Sequence, residues 1–170
     1  MKKIKSVTII GTWRKAKALP AKKWAEQVGQ LIAEQGLELI SGAGTGISEL
    51  VVNSYRRHGG KKYTTYLVAP KYMKIVGEKL GPRPDKIIQT KQDYPGRNLT
   101  MAKKTELAIA LTGNMGVLEE IIFNAKDYNH PVIVIDGYPI TDMVKALPNL
   151  KKQVKIISNI RSLQNILAKY

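Results

Sequence analysis

The chain has 170 residues, no cysteine, and 28 lysine and arginine residues against 13 aspartate and glutamate residues, which gives a formal net charge of +15 at pH 7. The lack of cysteine excludes disulfide bonds, zinc–thiolate sites and thiol nucleophiles, and it favours a cytoplasmic location. This length predicts a single domain over residues 1–170, and no apolar run approaches the roughly 20 residues that cross a bilayer.

The positive charge permits three classes of partner: nucleic acid, an acidic membrane face, or a small phosphorylated ligand. Lysines and arginines occur in small clusters over the whole chain, without a long basic tail or a run of interleaved basic and aromatic residues. That distribution is typical of a solvated basic surface. Nucleic-acid binding stays open as an alternative, and no membrane partner is expected.

The first half of the chain alternates apolar strand patterns with amphipathic helix patterns, as parallel β-α-β units do. The predicted elements, in order, are a strand in "VTIIG", a helix in "LPAKKWAEQVGQLIAEQG", a strand in "LELIS", a helix in "ISELVVNSYRRHGG" and a strand in "YTTYLVAP". Residues 71–84 are rich in lysine, glycine and proline. That composition predicts a loop with room for one helical turn.

The second half continues the same alternation. Its predicted elements are a strand in "KIIQT", a helix in "YPGRNLTMAKKTE", a strand in "LAIALTG", a helix in "VLEEIIFNAKDYN", strands in "PVIVIDG" and "VKIIS", and a closing helix in "NIRSLQNILAKY". The strands are continuous apolar runs, as expected where helices cover both faces of a sheet. The sequence therefore predicts an α/β fold with a doubly wound, mostly parallel sheet of about seven strands, Rossmann-like and in three layers, α/β/α.

Ligands of such folds bind beyond the carboxyl ends of the strands. The segments predicted to lie there are "GTWRK", "SGAGTGISE", "DYPGRN" and "TGNMGVLEE". Two of them are rich in glycine, which lets a backbone approach a ligand closely, while free amides at a helix start favour an anion. A phosphate-bearing ligand is therefore predicted. Neither loop has the dinucleotide or Walker spacing, which disfavours NAD binding and ATP hydrolysis.

The segment "TGNMGVLEE", from Thr112 to Glu120, resembles the "PGGxGTxxE" signature of the Lonely-Guy (LOG) proteins. Those proteins are cytokinin-activating nucleoside-monophosphate phosphoribohydrolases, often mislabelled lysine decarboxylases. Arg97 lies fifteen residues before Thr112, at the position of the family's upstream arginine. "SGAGTGISELV" also resembles the family's earlier "GGGPGxMEA" loop, and the resemblance extends over residues 7–136.

The resemblance implies a nucleotide whose 5′-phosphate rests on the "TGNMG" turn, with base and ribose reaching toward the first two loops. Arg97 and Glu120 would flank the N-glycosidic bond. There a carboxylate can stabilise the cationic ribose and activate water, and a guanidinium can clamp phosphate or ribose oxygens. The resemblance also implies a homodimer, and no cofactor or metal is expected. The candidate phosphate- or nucleotide-binding residues are Gly11, Thr12, Gly42, Ala43, Gly44, Gly46, Thr112, Gly113, Asn114, Met115, Gly116 and Val117.

The sequence departs from the LOG pattern at Thr112, Asn114, Val117 and Asn98, the last standing where the enzymes usually have lysine. Val117 matters most, because valine lacks the hydroxyl with which threonine donates to a phosphate oxygen. Asn114 is expected to take the positive φ of the glycine it replaces. These departures leave open a non-catalytic nucleotide sensor. A nucleic-acid binder of the DNA-processing type is a further alternative.

Overall fold

The computed structural model describes residues 4–169, and a parallel β-sheet forms its centre. The strands are β1 (Ser6–Ile10), β2 (Glu38–Gly42), β3 (Tyr63–Leu67), β4 (Lys86–Gln89), β5 (Ala108–Ala110), β6 (Val132–Ile135) and β7 (Val154–Ile157). Their order is β4-β3-β2-β1-β5-β6-β7, and every neighbouring pair is parallel. The predicted doubly wound sheet is confirmed.

Helices connect the strands and cover the sheet. They are α1 (Lys15–Ala18), α2 (Lys22–Glu34), α3 (Ile47–Arg57), α4 (Pro70–Val76), α5 (Tyr94–Ala102), α6 (Met115–Ile122), α7 (Pro139–Lys145), α8 (Pro148–Lys151) and α9 (Ile160–Leu167). A 3₁₀ turn joins α1 to α2, and α6 runs on into a π-helical segment over Phe123–Asp127. Within the described residues, none of these helices is long and apolar enough to span a membrane.

Four short helices were not predicted as such, and the closing helix is shorter than predicted. The first of the four, α1, precedes the predicted helix, which begins at Leu19. The stretch predicted as a loop over residues 71–84 begins with the seven-residue helix α4, which starts at Pro70 and ends where Gly77 takes the left-handed conformation at φ 68°. Helices α7 and α8 were not predicted, and each has a proline at its first position, which preorganises a helix start. The closing helix ends at Leu167, and Tyr170 of the predicted span lies outside the described residues.

Apolar side chains pack on both faces of the sheet, as the continuous apolar strands predict. On one face α2, α3 and α9 bury residues such as Val28, Val51 and Leu163 against the central strands. On the other face α6 and α7 bury residues such as Ile121 and Ile140. The result is the predicted three-layer α/β/α arrangement.

Strands β2 to β4 are added on one side of β1 and strands β5 to β7 on its other side, so the strand order reverses at β1. The loops that follow β1 and β5 therefore leave toward opposite faces and open a crevice at the carboxyl edge. The amide of Thr12 donates to the carbonyl of Thr112 over 2.8 Å and joins the two loops at the base of this crevice. The predicted ligand-binding segments all lie at this edge.

Candidate functional site

A cavity of about 530 Å³ opens at this switch point. Nine of the predicted site residues line it: Gly11, Thr12, Gly42, Gly44, Arg97, Asn114, Gly116, Val117 and Glu120. The five other predicted residues do not: Ala43, Gly46, Thr112, Gly113 and Met115. Met115 is 66% exposed and points away from the core, whereas Thr112 is buried below the crevice.

Arg97 reaches the cavity from the first turn of α5. Asp93, just before this helix, caps it, because its carboxylate accepts from the Gly96 amide over 2.9 Å. Although it carries a charge, Arg97 is only 8% exposed. Its guanidinium lies 5.6 Å from the centre of the Tyr94 ring, and Nη1 donates to the Tyr66 carbonyl at the long distance of 3.5 Å.

Two polar atoms beside this cavity have no hydrogen-bond partner among the described residues. They are Nε of Arg97 and Oδ1 of Asn98, and both are buried. Buried polar groups are normally paired, with protein or with ordered water. An unpaired donor and an unpaired acceptor on adjacent residues of the cavity wall therefore fit a polar ligand or a bound water there.

The glycines of the second loop make room for protein side chains. A Cβ atom at Gly42 would overlap Nη1 of Arg97, and one at Gly44 would overlap Oε1 of Glu78. A larger residue at either position would displace a charged group of the cavity wall. From the sequence, these glycines are explained by the close approach of a ligand. The structure adds a second reason, which is the space that the Arg97 and Glu78 side chains occupy beside them.

Glu120 lines the cavity from α6. Gly116, one helical turn before it, and Glu119, its neighbour in the chain, line the same cavity. Burial raises the pKa of Glu120 from 4.5 to about 7. The nearby Arg97 opposes this rise, while the negative charges of Glu119 and Glu78 add to it. The carboxyl group therefore titrates near neutral pH rather than near pH 4.5, which suits a general acid or base.

Asn114 starts α6 in a different way from the one expected. Its φ is −127°, in the extended region, so the expected positive φ is wrong. Its side chain caps the helix instead, accepting from the Gly116 amide over 3.4 Å. Asparagine is a favoured N-cap residue for this reason. Val117, in the first turn of α6, is 4% exposed and packs its methyl groups against Gly113.

Sequence reasoning missed Glu78 as a cavity residue and gave Tyr94 no role there. Glu78 follows Gly77 in the stretch predicted as a loop, and it accepts a short hydrogen bond from the Tyr94 hydroxyl. Burial, together with that bond, raises the pKa of Tyr94, so the hydroxyl keeps its proton. No motif marks either residue, and the only signal is Gly44, whose missing side chain makes space for Glu78.

The fold and the cavity together define a Rossmann-like α/β protein with a polar-lined cavity at the switch point of its sheet. The chain belongs to the SLOG cluster4 family, whose pattern matches residues 4–166. This membership confirms the LOG-like resemblance found in the sequence.

Known proteins resemble the chain in sequence and in fold. A probable cytokinin riboside 5′-monophosphate phosphoribohydrolase of Oryza sativa subsp. japonica is 29% identical over 124 residues, 67% of this chain and 48% of the rice protein. The chain thus spans about half the length of that relative.

Solved structures share the fold at lower identity. The molybdenum cofactor binding protein from Rippkaea orientalis has a TM-score of 0.79 at 22% identity, covering 99% of this chain and 98% of its own. DNA processing protein A from Helicobacter pylori has a TM-score of 0.69 at 18% identity, covering 99% of this chain and 81% of its own.

Proposed function

We propose that this protein binds a nucleoside 5′-monophosphate in the switch-point cavity and hydrolyses its N-glycosidic bond, releasing free base and ribose 5-phosphate. The observation that carries the proposal is the pairing of a buried guanidinium, Arg97, with a carboxyl group whose pKa is about 7, Glu120, on the wall of one cavity. The sequence likeness to the rice phosphoribohydrolase supports the same reaction.

The phosphate is assigned to the start of α6. Backbone amides of a first helical turn point outward and carry partial positive charge, which suits an anion. Asn114 and Gly116 line the cavity at this turn, and the 3.4 Å bond to the Gly116 amide is long enough for a phosphate oxygen to replace. Arg97 supplies the fixed positive charge for phosphate or ribose oxygens.

Glu120 acts at the reacting carbon. As the C1′–N bond breaks, its electron pair leaves with the base and positive charge develops on the ribose ring. The ionised form of Glu120 stabilises that charge and takes a proton from water, whose oxygen forms the new bond to C1′. The base nitrogen that carries the electron pair takes up a proton from solvent, and Glu120 returns to solvent the proton it took from water, so that one water is consumed in all. Arg97 keeps part of the Glu120 population ionised through its positive charge.

A base-release assay tests this proposal. Purified protein is incubated with the common nucleoside 5′-monophosphates, and free base and reducing sugar are measured in parallel. Equimolar release of both is expected, together with a loss of at least about a hundredfold in Glu120→Gln. The control is Glu34→Gln, which changes an exposed carboxylate of α2 outside the cavity. Release that is equal in wild type and Glu120→Gln would refute the hydrolytic role.

A second candidate function is binding without hydrolysis, and Val117 favours it. The buried methyl groups of Val117 occupy the place where the LOG motif has a threonine hydroxyl, so one donor to the phosphate is missing. Asn98 likewise stands where the enzymes have lysine, and it lines the cavity. Saturable calorimetric binding of nucleotides without any base release would establish this function in place of the first.

Nucleic-acid binding is the third candidate, favoured by the net charge of +15 and by the fold shared with DNA processing protein A. Binding of this kind weakens steeply as salt is raised, because phosphate contacts release counterions. A fluorescence titration with single-stranded DNA at two salt concentrations tests it. No binding at low salt would remove this candidate.

A further inference from the structure

We propose that Glu78 and Trp13 form the base-recognition end of the cavity, where the Glu78 carboxylate selects nucleobases that present an exocyclic amino group. The proposal rests on the proposed nucleotide ligand and adds the substrate class. It follows from the place where these two side chains meet, from the fixed orientation of the carboxylate, and from the distance to the helix that receives the phosphate.

Both side chains border Gly44, in the loop after β2. Oε1 of Glu78 occupies the space that a Gly44 Cβ would take, and the Trp13 Cβ lies 3.1 Å from the same position. Trp13 and Glu78 both line the cavity. An aromatic residue that can stack on a base and a carboxylate that can read its edge therefore line the cavity around the same glycine.

The carboxylate is held in place from two directions. Its Oε2 accepts from the Tyr94 hydroxyl, and Oε1, beside Gly44, has no hydrogen-bond partner among the described residues. The segment that carries it is tied to the second loop three residues later, because the Gly81 amide donates to the Ala43 carbonyl over 2.7 Å. An ionised carboxylate accepts hydrogen bonds and cannot donate them. The free oxygen therefore favours an N–H group and disfavours a carbonyl or phosphate oxygen.

The phosphate end of the cavity lies two strands away. Gly44 follows β2 and Gly116 is in the first turn of the helix after β5, with β1 between them. Two strand spacings amount to about 10 Å. A nucleoside monophosphate can bridge such a span with its phosphate on α6 and its base beside Trp13. The negative charge of Glu78 disfavours the reverse orientation.

Paired nucleotides that differ in one exocyclic group test the proposal. Dissociation constants are measured by calorimetry for adenosine against inosine 5′-monophosphate and for cytidine against uridine 5′-monophosphate. The Glu120→Gln background is used so that turnover does not interfere. The amino-bearing member of each pair is expected to bind about tenfold more tightly, the value of one hydrogen bond to a charged acceptor.

Added to that background, Glu78→Gln is expected to reduce this preference to within about twofold, because a carboxamide both donates and accepts. Trp13→Leu is the matched variant: it is expected to weaken every nucleotide similarly and to keep the preference. An unchanged preference in Glu78→Gln, or no preference in the starting protein, would overturn the proposal.

The outcomes separate this proposal from the hydrolytic one. Base release by wild-type protein combined with a preference that ignores Glu78 would leave hydrolysis standing and overturn base selection by Glu78. A preference that depends on Glu78 without base release would do the opposite. If none of the four nucleotides binds, both are overturned.

Discussion

Replacing Glu120 by glutamine is predicted to stabilise the protein above pH 7. The native pKa of about 7 against 4.5 for the free group means that the folded state binds the carboxyl proton more tightly than the unfolded state does. The contribution of this proton to the free energy of unfolding of wild type is therefore fully present below pH 4.5, and it is lost as the pH rises to about 7. Glutamine does not titrate, so the variant keeps that stability.

The size of the effect follows from the pKa difference. One pKa unit corresponds to about 1.4 kcal/mol, so the rise from 4.5 to about 7 gives at most about 3 kcal/mol. This value already includes the opposing attraction of Arg97. The free energies of unfolding of wild type and Glu120→Gln are therefore expected to be similar near pH 4. They should differ by up to about 3 kcal/mol at pH 8, the variant being the more stable.

Urea denaturation of both proteins between pH 4 and pH 8 measures this difference. All other titrating groups are shared, so their contributions largely cancel in the comparison. Glu34→Gln, which changes an exposed carboxylate, is expected to show a nearly constant difference from wild type. A Glu120→Gln variant that is less stable than wild type at pH 8, or a difference independent of pH, would refute a partly buried carboxyl with a raised pKa.

Four further predictions concern the rest of the site and the chain. Gly42→Ala is expected to lower kcat/KM for base release about a hundredfold, because its methyl group displaces the Arg97 guanidinium. Val117→Thr is expected to bind nucleoside monophosphates about tenfold more tightly in calorimetry, through a new hydroxyl donor, while the buried hydroxyl lowers the free energy of unfolding by about 1 kcal/mol. The full chain is expected to unfold in one calorimetric transition, as a single domain over residues 1–170, and to form a homodimer by light scattering.

Each of these predictions has a contrary outcome. Adding Gly42→Ala to an Arg97→Met background should cause little further loss, since the displaced group is already gone. An equal loss in that background would show that Gly42 acts otherwise. Unchanged nucleotide affinity in Val117→Thr would contradict the assignment of the phosphate to the first turn of α6. Two separate thermal transitions would contradict the single domain, and the mass of one chain in light scattering would contradict the homodimer.

Much of the fold could be predicted because the strands are continuous apolar runs. A strand covered on both faces needs apolar residues at every position, as in "VIVI" of β6, and this pattern is strong even in one sequence. Helix α8 has four residues, too few for an apolar period to be detected. Helix α7 has apolar residues at Ile140, Met143 and Val144, the spacing of one helix face, and this pattern could have indicated it. The proline that begins each helix is a second signal.

Some residues of the cavity could likewise be predicted from the sequence, and others could not. Arg97 and Glu120 could be predicted because they belong to a motif of fixed spacing, and the structure places both on one cavity wall. Glu78 could not, since it is brought to the cavity by the fold of a segment without any such motif. The positive φ expected at Asn114 failed because a side chain that can cap a helix removes the need for it.

A crystal structure of Glu120→Gln bound to adenosine 5′-monophosphate tests the function of the cavity most directly. The phosphate is expected at the backbone amides of the first turn of α6, with C1′ between Arg97 and the substituted residue 120 and the base beside Trp13. A nucleotide bound outside the cavity, or one with its phosphate beside Glu78, would contradict both the proposed reaction and the proposed orientation of its substrate.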